Sequence, residues 1–373
     1  MIVVKKVETK KQIKEFVNFP LKLYKNNPNF VPPLYMDELA IFKDNFVYND
    51  QAESVFFIAY LDNEVVGRIS GILQHASNLK WNQKRVRFTR FDSIDNQDVA
   101  NALFEALEVW AKEKKMEEIV GPLGYSDLER EGLLIEGFDE LSTFEEQYNY
   151  PYYQRLIENI GFVKEVDWTE RKIYLPKEID PRIHHLSEHV MQKYNLKIAK
   201  VKNTNEFLKR YGDAFFEILD KTYSDLYQTV PITDKVKKTT IKSFKLIVDM
   251  KYAGVIVDEN DNVVCFGLCF PSIAKAVQAS GGRLTIPTIL KVLKALKKPK
   301  ILDLALIGVL PEYQRRGINA VILDMLTKIL SENNIEYAET NLNLETNSNI
   351  QNQWKNFDSV IHKRRRSFVK KIK

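Results

Sequence analysis

The residues of this chain whose types and spacing suit chemistry lie between Asp303 and Asn347. Gln314-Arg315-Arg316-Gly317-Ile318-Asn319 follows an almost unbroken apolar run, Ile301 to Leu310, and a proline, Pro311. From Ala320 the apolar positions Val321, Leu323, Leu326, Ile329 and Leu330 recur at helical spacing. The polar segment therefore sits where a strand turns into a helix N-terminus. Backbone N–H groups without intrahelical partners point out of such a turn, and the helix dipole adds partial positive charge. The arrangement favours a phosphate or pyrophosphate. Gly317 lets the backbone approach an anion closely, Arg315 and Arg316 add charge, and Asn319 tolerates left-handed backbone.

Carboxylates stand on the neighbouring segments. In the run from Tyr337 to Glu345, alternation puts Glu339, Asn341, Asn343 and Glu345 on one face of a strand and Leu342 and Leu344 on the other. A polar face beside a buried strand is costly unless it lines a wet cavity. Glu339 and Glu345 are thus candidate bases, with Asp303 on the adjacent strand as a third. The Ile301 run is expected to be a strand buried on both faces.

The order strand, Gln-x-x-Gly-x-small, amphipathic helix resembles the acyl-coenzyme A site of the GCN5-related N-acetyltransferase (GNAT) family. Gln314 and Gly317 match that family's loop, with Asn319 in the last small position and Ala320 after it. The resemblance implies an acyl-coenzyme A (acetyl-CoA or a longer acyl-CoA) as co-substrate and transfer of its acyl group to an amine. It assigns the coenzyme to Gln314, Arg315, Arg316, Gly317, Ile318, Asn319 and Ala320, to the backbone of Ile307, Gly308 and Val309, and to Asn347 at the start of the next helix. Seven residues further on, where the family commonly places a tyrosine that protonates the leaving thiolate, this chain has Trp354. An indole N–H is no general acid at ordinary pH. Tyr313 and Tyr337 are substitutes, and a binding protein that senses acyl-CoA without turnover is the alternative reading.

The elements needed to position these residues occur twice. Strands at Val55–Leu61 and Glu64–Leu73 join across Asp62-Asn63, followed by a strand at Val86–Phe91, a helix at Gln97–Lys115 and a short strand at Ile119–Gly121. The second half repeats the series from Val255 through Glu345. The expected fold is therefore α/β with mixed sheets, and the resemblance makes it two tandem GNAT-like domains. Boundaries are expected at 1–176, a linker helix at 177–195, and 196–373. The first copy has Asp92-Ser93-Ile94-Asp95-Asn96-Gln97-Asp98 where the second has its glycine loop. Carboxylates there cap a helix but repel a pyrophosphate, so this copy is degenerate and either structural or a help in shaping the acceptor site.

With 373 residues, 45% hydrophobic and 28% charged, the chain is a globular protein of two domains. Lacking a long apolar segment, it is expected to be cytoplasmic. Cys265 and Cys269 read as packing residues, and five scattered histidines lack ligand spacing, so no metal is expected. The net charge is +5, concentrated at Lys363–Lys373, which reads either as a patch for an anionic partner or as a solvated edge strand. No nucleic-acid partner is expected. Thr285–Lys300 reads as a basic amphipathic helix that either docks on the domain or lies on an anionic membrane, the latter suiting a lipid amine as acceptor. The acceptor, small molecule or lipid, and the oligomeric state are not fixed by the sequence.

Overall fold

The computed structural model describes residues 1–372, with Leu246 described by its backbone alone. In chain order the elements are β1 (Ile2–Lys6), α1 (Lys10–Leu23), α2 (Tyr35–Ala40), β2 (Ala52–Leu61), β3 (Glu64–Gln74), α3 (His75–Lys80), β4 (Arg85–Ser93), α4 (Gln97–Glu113), β5 (Glu118–Gly121), β6 (Leu133–Glu136), α5 (Tyr152–Asn159), β7 (Val163–Tyr174) and α6 (Pro181–Lys193). They continue with β8 (Lys197–Ile198), α7 (Thr204–Tyr223), α8 (Asp234–Ile247), β9 (Ala253–Val257), β10 (Val263–Pro271), α9 (Ala274–Gln278), α10 (Ile286–Lys297), β11 (Ile301–Val309), α11 (Ile318–Glu332), β12 (Tyr337–Thr340), β13 (Asn343–Leu344), α12 (Ser348–Gln353) and β14 (Asp358–Lys371).

The chain divides into two compact units. Unit 1 comprises Met1–Thr169, Ala274–Val292 and His362–Lys373; unit 2 comprises Glu170–Ile273 and Leu293–Ile361. The boundaries thus fall inside β7, between β10 and α9, inside α10 and inside β14, not at residue 176. Unit 2 also contains α6, the segment expected as a linker. Its Val190 packs with Ile318 and Val321 of α11 in one apolar cluster, which makes it part of that unit's core.

In unit 1 the strands run β1-β2-β3-β4-β5-β14. The β2–β3 hairpin closes through Asp62 and Asn63, both at positive φ, 51° and 67°, as a two-residue turn requires. Helix α1 begins with a capping box in which Thr9 and Gln12 serve each other's backbone N–H groups. Helix α4 buries Val99, Leu103, Leu107 and Ala111 on a single stripe. Each such side chain removed from water contributes about 1.5–3 kcal/mol.

The C-terminal strand corrects both readings of the basic cluster. β14 pairs antiparallel with β5, Phe368 opposite Gly121, and with β6, Arg366 opposite Leu133, inside unit 1. Lys363 and Arg365 are fully buried, Arg366 forks onto Asp167 at 2.7 and 2.9 Å, and Lys370 reaches Glu108 at 2.8 Å. Arg364, Arg366 and Lys370 are paired with carboxylates of unit 1, and the strand is no solvated edge. Lys373 lies outside the described residues.

In unit 2 the order is β7-β12-β11-β10-β9-β8. β11 pairs antiparallel with β10 along its length and parallel with β12 only from Ile301 to Leu304. Beyond Leu304 the parallel neighbour departs. Leu304 to Ile307 are consequently half-buried, where the apolar run alone predicted burial on both faces.

Candidate active site

The strand-to-helix turn of unit 2 is an exposed loop held by short-range bonds. After β11, a single turn of 3-10 helix covers Pro311–Tyr313, and the Gln314 side-chain amide folds back to donate to the Val309 carbonyl at 3.2 Å. Arg315 and Gly317 then take positive φ values of 61° and 83°. Gly317 is the N-cap of α11. A Cβ there would stand 2.9 Å from Val190 Cγ2 on α6, so the position excludes side chains on two counts.

Asn319 departs from expectation. The left-handed non-glycine residue is Arg315, while Asn319 lies in the first turn of α11 with ordinary helical backbone. Among the described residues, the backbone N–H groups of Arg315, Gly317, Ile318 and Asn319 meet no protein acceptor, whereas that of Ala320 donates to Gly317 at 2.9 Å. Arg316 is held over the rings of Tyr194 and Tyr313, 5.3 and 5.1 Å from their centroids. Neither Arg315 nor Arg316 has an ion-pair partner among the described residues, and both are exposed. Four acceptorless N–H groups beside two exposed guanidinium groups are the kind of set that suits a multiply charged anion.

The edge of β11 that β12 leaves is contacted from α7. The Tyr223 hydroxyl donates to the Ile307 carbonyl at 3.2 Å and lies 3.4 Å from the Ile307 N–H. Sequence reading missed Tyr223, since a tyrosine at a helix C-terminus carries no local signal of a strand edge 84 residues away. Gly308 has a packing reason: a Cβ would lie 2.6 Å from Phe266 and 2.8 Å from Ile218. The irregularity in the β10–β11 register sits instead at Leu268/Cys269, where Leu304 and Leu306 face consecutive residues.

The polar face expected along 337–345 is broken. β12 ends at Thr340, the Asn341 side chain accepts from the Leu342 N–H at 2.7 Å, and β13 resumes at Asn343. An asparagine bonding its own neighbourhood competes with the strand ladder, which periodicity cannot report. Asp303 and Glu339 are buried and face each other in parallel register. Glu345 is exposed, so these three do not gather on one face. Asn343 is buried and accepts from the Trp354 indole at 2.8 Å. The Asn347 side chain caps α12 by accepting from Ile350 at 3.3 Å. Tyr313 lies under Arg316, and Tyr337 against Tyr174 and Lys172. Cys265 and Cys269 are free and buried; burial, reinforced by Asp303, pushes the Cys269 thiol up to about 12.

Unit 1 has no such anion loop. Where β4 meets α4, the Asn96 side chain takes the N–H groups of Asp98 and Val99, at 2.9 and 3.3 Å. The Ser93 N–H donates to the Tyr153 hydroxyl at 3.1 Å, and Tyr152 donates to the Ser93 carbonyl at 2.7 Å. Tyr24 bonds both Tyr153 and Asp92, at 2.7 and 3.0 Å. Asp92 is further held by Arg68 at 2.7 Å. Burial and this crowd of like groups raise Tyr24 and Tyr153 far above the usual phenol range. Tyr152 and Tyr153 thus fill the junction.

A second concentration of charge in unit 1 escaped the sequence reading. Glu38 receives the Arg90 guanidinium at 3.0–3.2 Å and lies 3.7 Å from Arg68. Burial pushes Glu145 up to about 7 and Arg130 down to about 10.

Comparison with known proteins bears on the fold. A tandem GNAT protein from the clavulanic acid biosynthesis pathway superposes with a TM-score of 0.59 at 10% identity, over 100% of this chain and 99% of that one. The chain has the tandem GNAT fold. In sequence it is 27% identical to Protein YghO of Escherichia coli (strain K12), over 97% of this chain and 94% of that protein. It is also 26% identical to a bacterial ceramide synthase of Caulobacter vibrioides (strain NA1000 / CB15N), over 74% of this chain and 72% of that protein. No family model matches the sequence. No helix among the described residues is long and apolar enough to cross a membrane.

Proposed function

We propose that the chain is an acyl-CoA dependent N-acyltransferase with its site in unit 2 and a long-chain amine as acceptor. The observation that carries the reading is the set of four acceptorless N–H groups from Arg315 to Asn319, flanked by Arg315 and Arg316. These residues fit the diphosphate of a coenzyme. The splayed edge of β11 at Ile307 fits an extended amide-bearing arm, which would pair there as an added strand. The likeness to a ceramide synthase supports a long-chain amine, because a ceramide is such an amine carrying an amide-linked acyl chain.

The co-substrate supplies an activated acyl group. In the transfer the amine nitrogen forms a bond to the acyl carbon, the carbon–sulfur bond breaks, and the amine loses one proton while the thiolate gains one. Glu345, exposed beside the strand break, takes the amine proton through water. The Ile307 N–H, released by the Tyr223 hydroxyl as the arm pairs along β11, steadies the carbonyl oxygen as charge gathers on it. Tyr223, whose hydroxyl lies 3.4 Å from that N–H, takes the acid role that Trp354 does not fill.

Thiol release from acetyl-CoA and long-chain acyl-CoA, measured with short amines and with long-chain amino alcohols, tests the proposal. Release with the long-chain amines is expected. Coenzyme binding without release for any amine would favour the second reading, an acyl-CoA sensor, for which the buried, bonded indole of Trp354 speaks. Glu345→Gln should lower kcat by about a hundredfold and leave coenzyme affinity within about twofold; an unchanged kcat removes Glu345.

A further inference from the structure

We infer that α10 is a membrane-surface helix that seats the protein on an anionic phospholipid bilayer. The sequence left open which side of this helix meets the protein. In the structure the least exposed side is Thr288, Val292, Ala295 and Leu296, of which only Thr288 is buried. Five large apolar side chains of the helix and its lead-in are exposed. Leu284 is 49% exposed, Ile286 77%, Ile289 45%, Leu290 62% and Leu293 52%. From Ile286 onward these occupy one side of successive turns, which is how an interfacial helix presents its apolar face.

The helix is fixed at its start. Gly282 takes φ 78°, and a Cβ there would lie 2.1 Å from the Pro33 carbonyl. The Gly282 carbonyl accepts from the Tyr35 N–H at 2.9 Å, and Gln278 donates to the carbonyls of Pro28 and Phe30 at 2.8 and 3.0 Å. Arg283 stacks 4.1 Å over Tyr35 and bonds Asn18 at 3.2 Å. An exposed apolar face on an anchored helix is a presented surface.

Charge selects the occupant. Between residues 283 and 300 the chain has Arg283, Lys291, Lys294, Lys297, Lys298 and Lys300 and no carboxylate. All six are exposed, and Lys291, Lys294, Lys297 and Lys298 make no ion pair among the described residues. On the helical wheel Lys291, Lys294 and Lys298 border the apolar stripe on one side. Two copies of this chain meeting through the stripe would oppose like charges, whereas a bilayer with anionic headgroups meets both features, apolar residues below and lysines at headgroup level. The inference does not rest on the reading of the loop after β11.

The test is sedimentation of the full chain with phosphatidylcholine vesicles, with and without phosphatidylglycerol. Binding is expected to the anionic vesicles, to weaken as salt rises, and to be much poorer to phosphatidylcholine alone. Leu290→Asp with Leu293→Asp should cut binding at least about tenfold, and each of Lys291→Gln, Lys294→Gln and Lys298→Gln about fivefold. These positions are exposed, and unchanged thermal melts verify the fold. Absence of binding to either vesicle, or binding that the substitutions leave intact, overturns the inference. So does a concentration-dependent dimer, seen by sedimentation velocity, that Leu290→Asp with Leu293→Asp dissolves while vesicle binding is absent.

Discussion

The Tyr223 hydroxyl sits across the open edge of β11 and touches both backbone groups of Ile307, its carbonyl at 3.2 Å and its N–H at 3.4 Å. The hydroxyl stands in for the hydrogen bonds that β12 would have supplied had it stayed alongside. It thereby satisfies groups that an extended ligand would otherwise claim.

Tyr223→Phe should free the Ile307 N–H and carbonyl for ligand. Coenzyme affinity, by calorimetry, is expected to rise about two- to fivefold, and kcat to fall at least tenfold, since the acid is removed. Loss of both affinity and rate would instead make Tyr223 a simple packing residue.

Gly317→Ala combines a left-handed backbone with a methyl 2.9 Å from Val190. A cost of about 1–2 kcal/mol in unfolding free energy is expected, with coenzyme binding weakened at least tenfold as the loop shifts. Gly317→Glu adds charge as well and should abolish binding while leaving circular dichroism unchanged. Unaltered calorimetric affinity in both variants would remove this loop from the site.

Phe368 is fully buried in the core of unit 1 although it lies five residues from the chain's end. Phe368→Ala should destabilise unit 1 by about 3–5 kcal/mol. Coenzyme affinity of unit 2 should stay within about twofold. Loss of coenzyme binding with unit 1 intact by limited proteolysis would contradict the assignment of β14.

Two buried carboxyls give opposite pH signs. Burial would raise Glu38, but Arg90 and Arg68 outweigh it and hold its carboxyl below the usual range. Its contribution is therefore present above the unfolded pKa and lost as pH falls through the lower folded value. Glu145, pushed up to about 7 by burial, acts the other way: it is harmless below its unfolded pKa and destabilising as pH rises toward and past 7. Urea denaturation of Glu145→Gln against the unsubstituted chain should show a gain on the order of 1 kcal/mol at pH 8 that vanishes near pH 4. Glu38→Gln should cost about 3 kcal/mol at pH 7, because it leaves buried guanidinium groups unpaired.

The strand, turn and helix around Gly317 were legible because each depends on neighbours in sequence: an apolar run, a proline, a glycine and a period of 3.6. The Asp62-Asn63 hairpin and the missing loop of the first copy were legible for the same reason. Local pattern did not reveal that Asn341 turns its amide on its own chain and ends β12, which parts the exposed Glu345 from the buried pair Asp303 and Glu339.

The chain by itself determined a repeated α/β unit with a glycine turn between strand and helix in the second copy only, since periodicity, turn residues and helix-end chemistry are short-range. Tertiary structure alone decided that β11 opens after Leu304, that Tyr223 covers Ile307, that the basic tail is buried in unit 1, and that α10 turns its leucines outward. Those outcomes depend on which segments distant in sequence compete for the same backbone edge or apolar face, and only packing settles that competition.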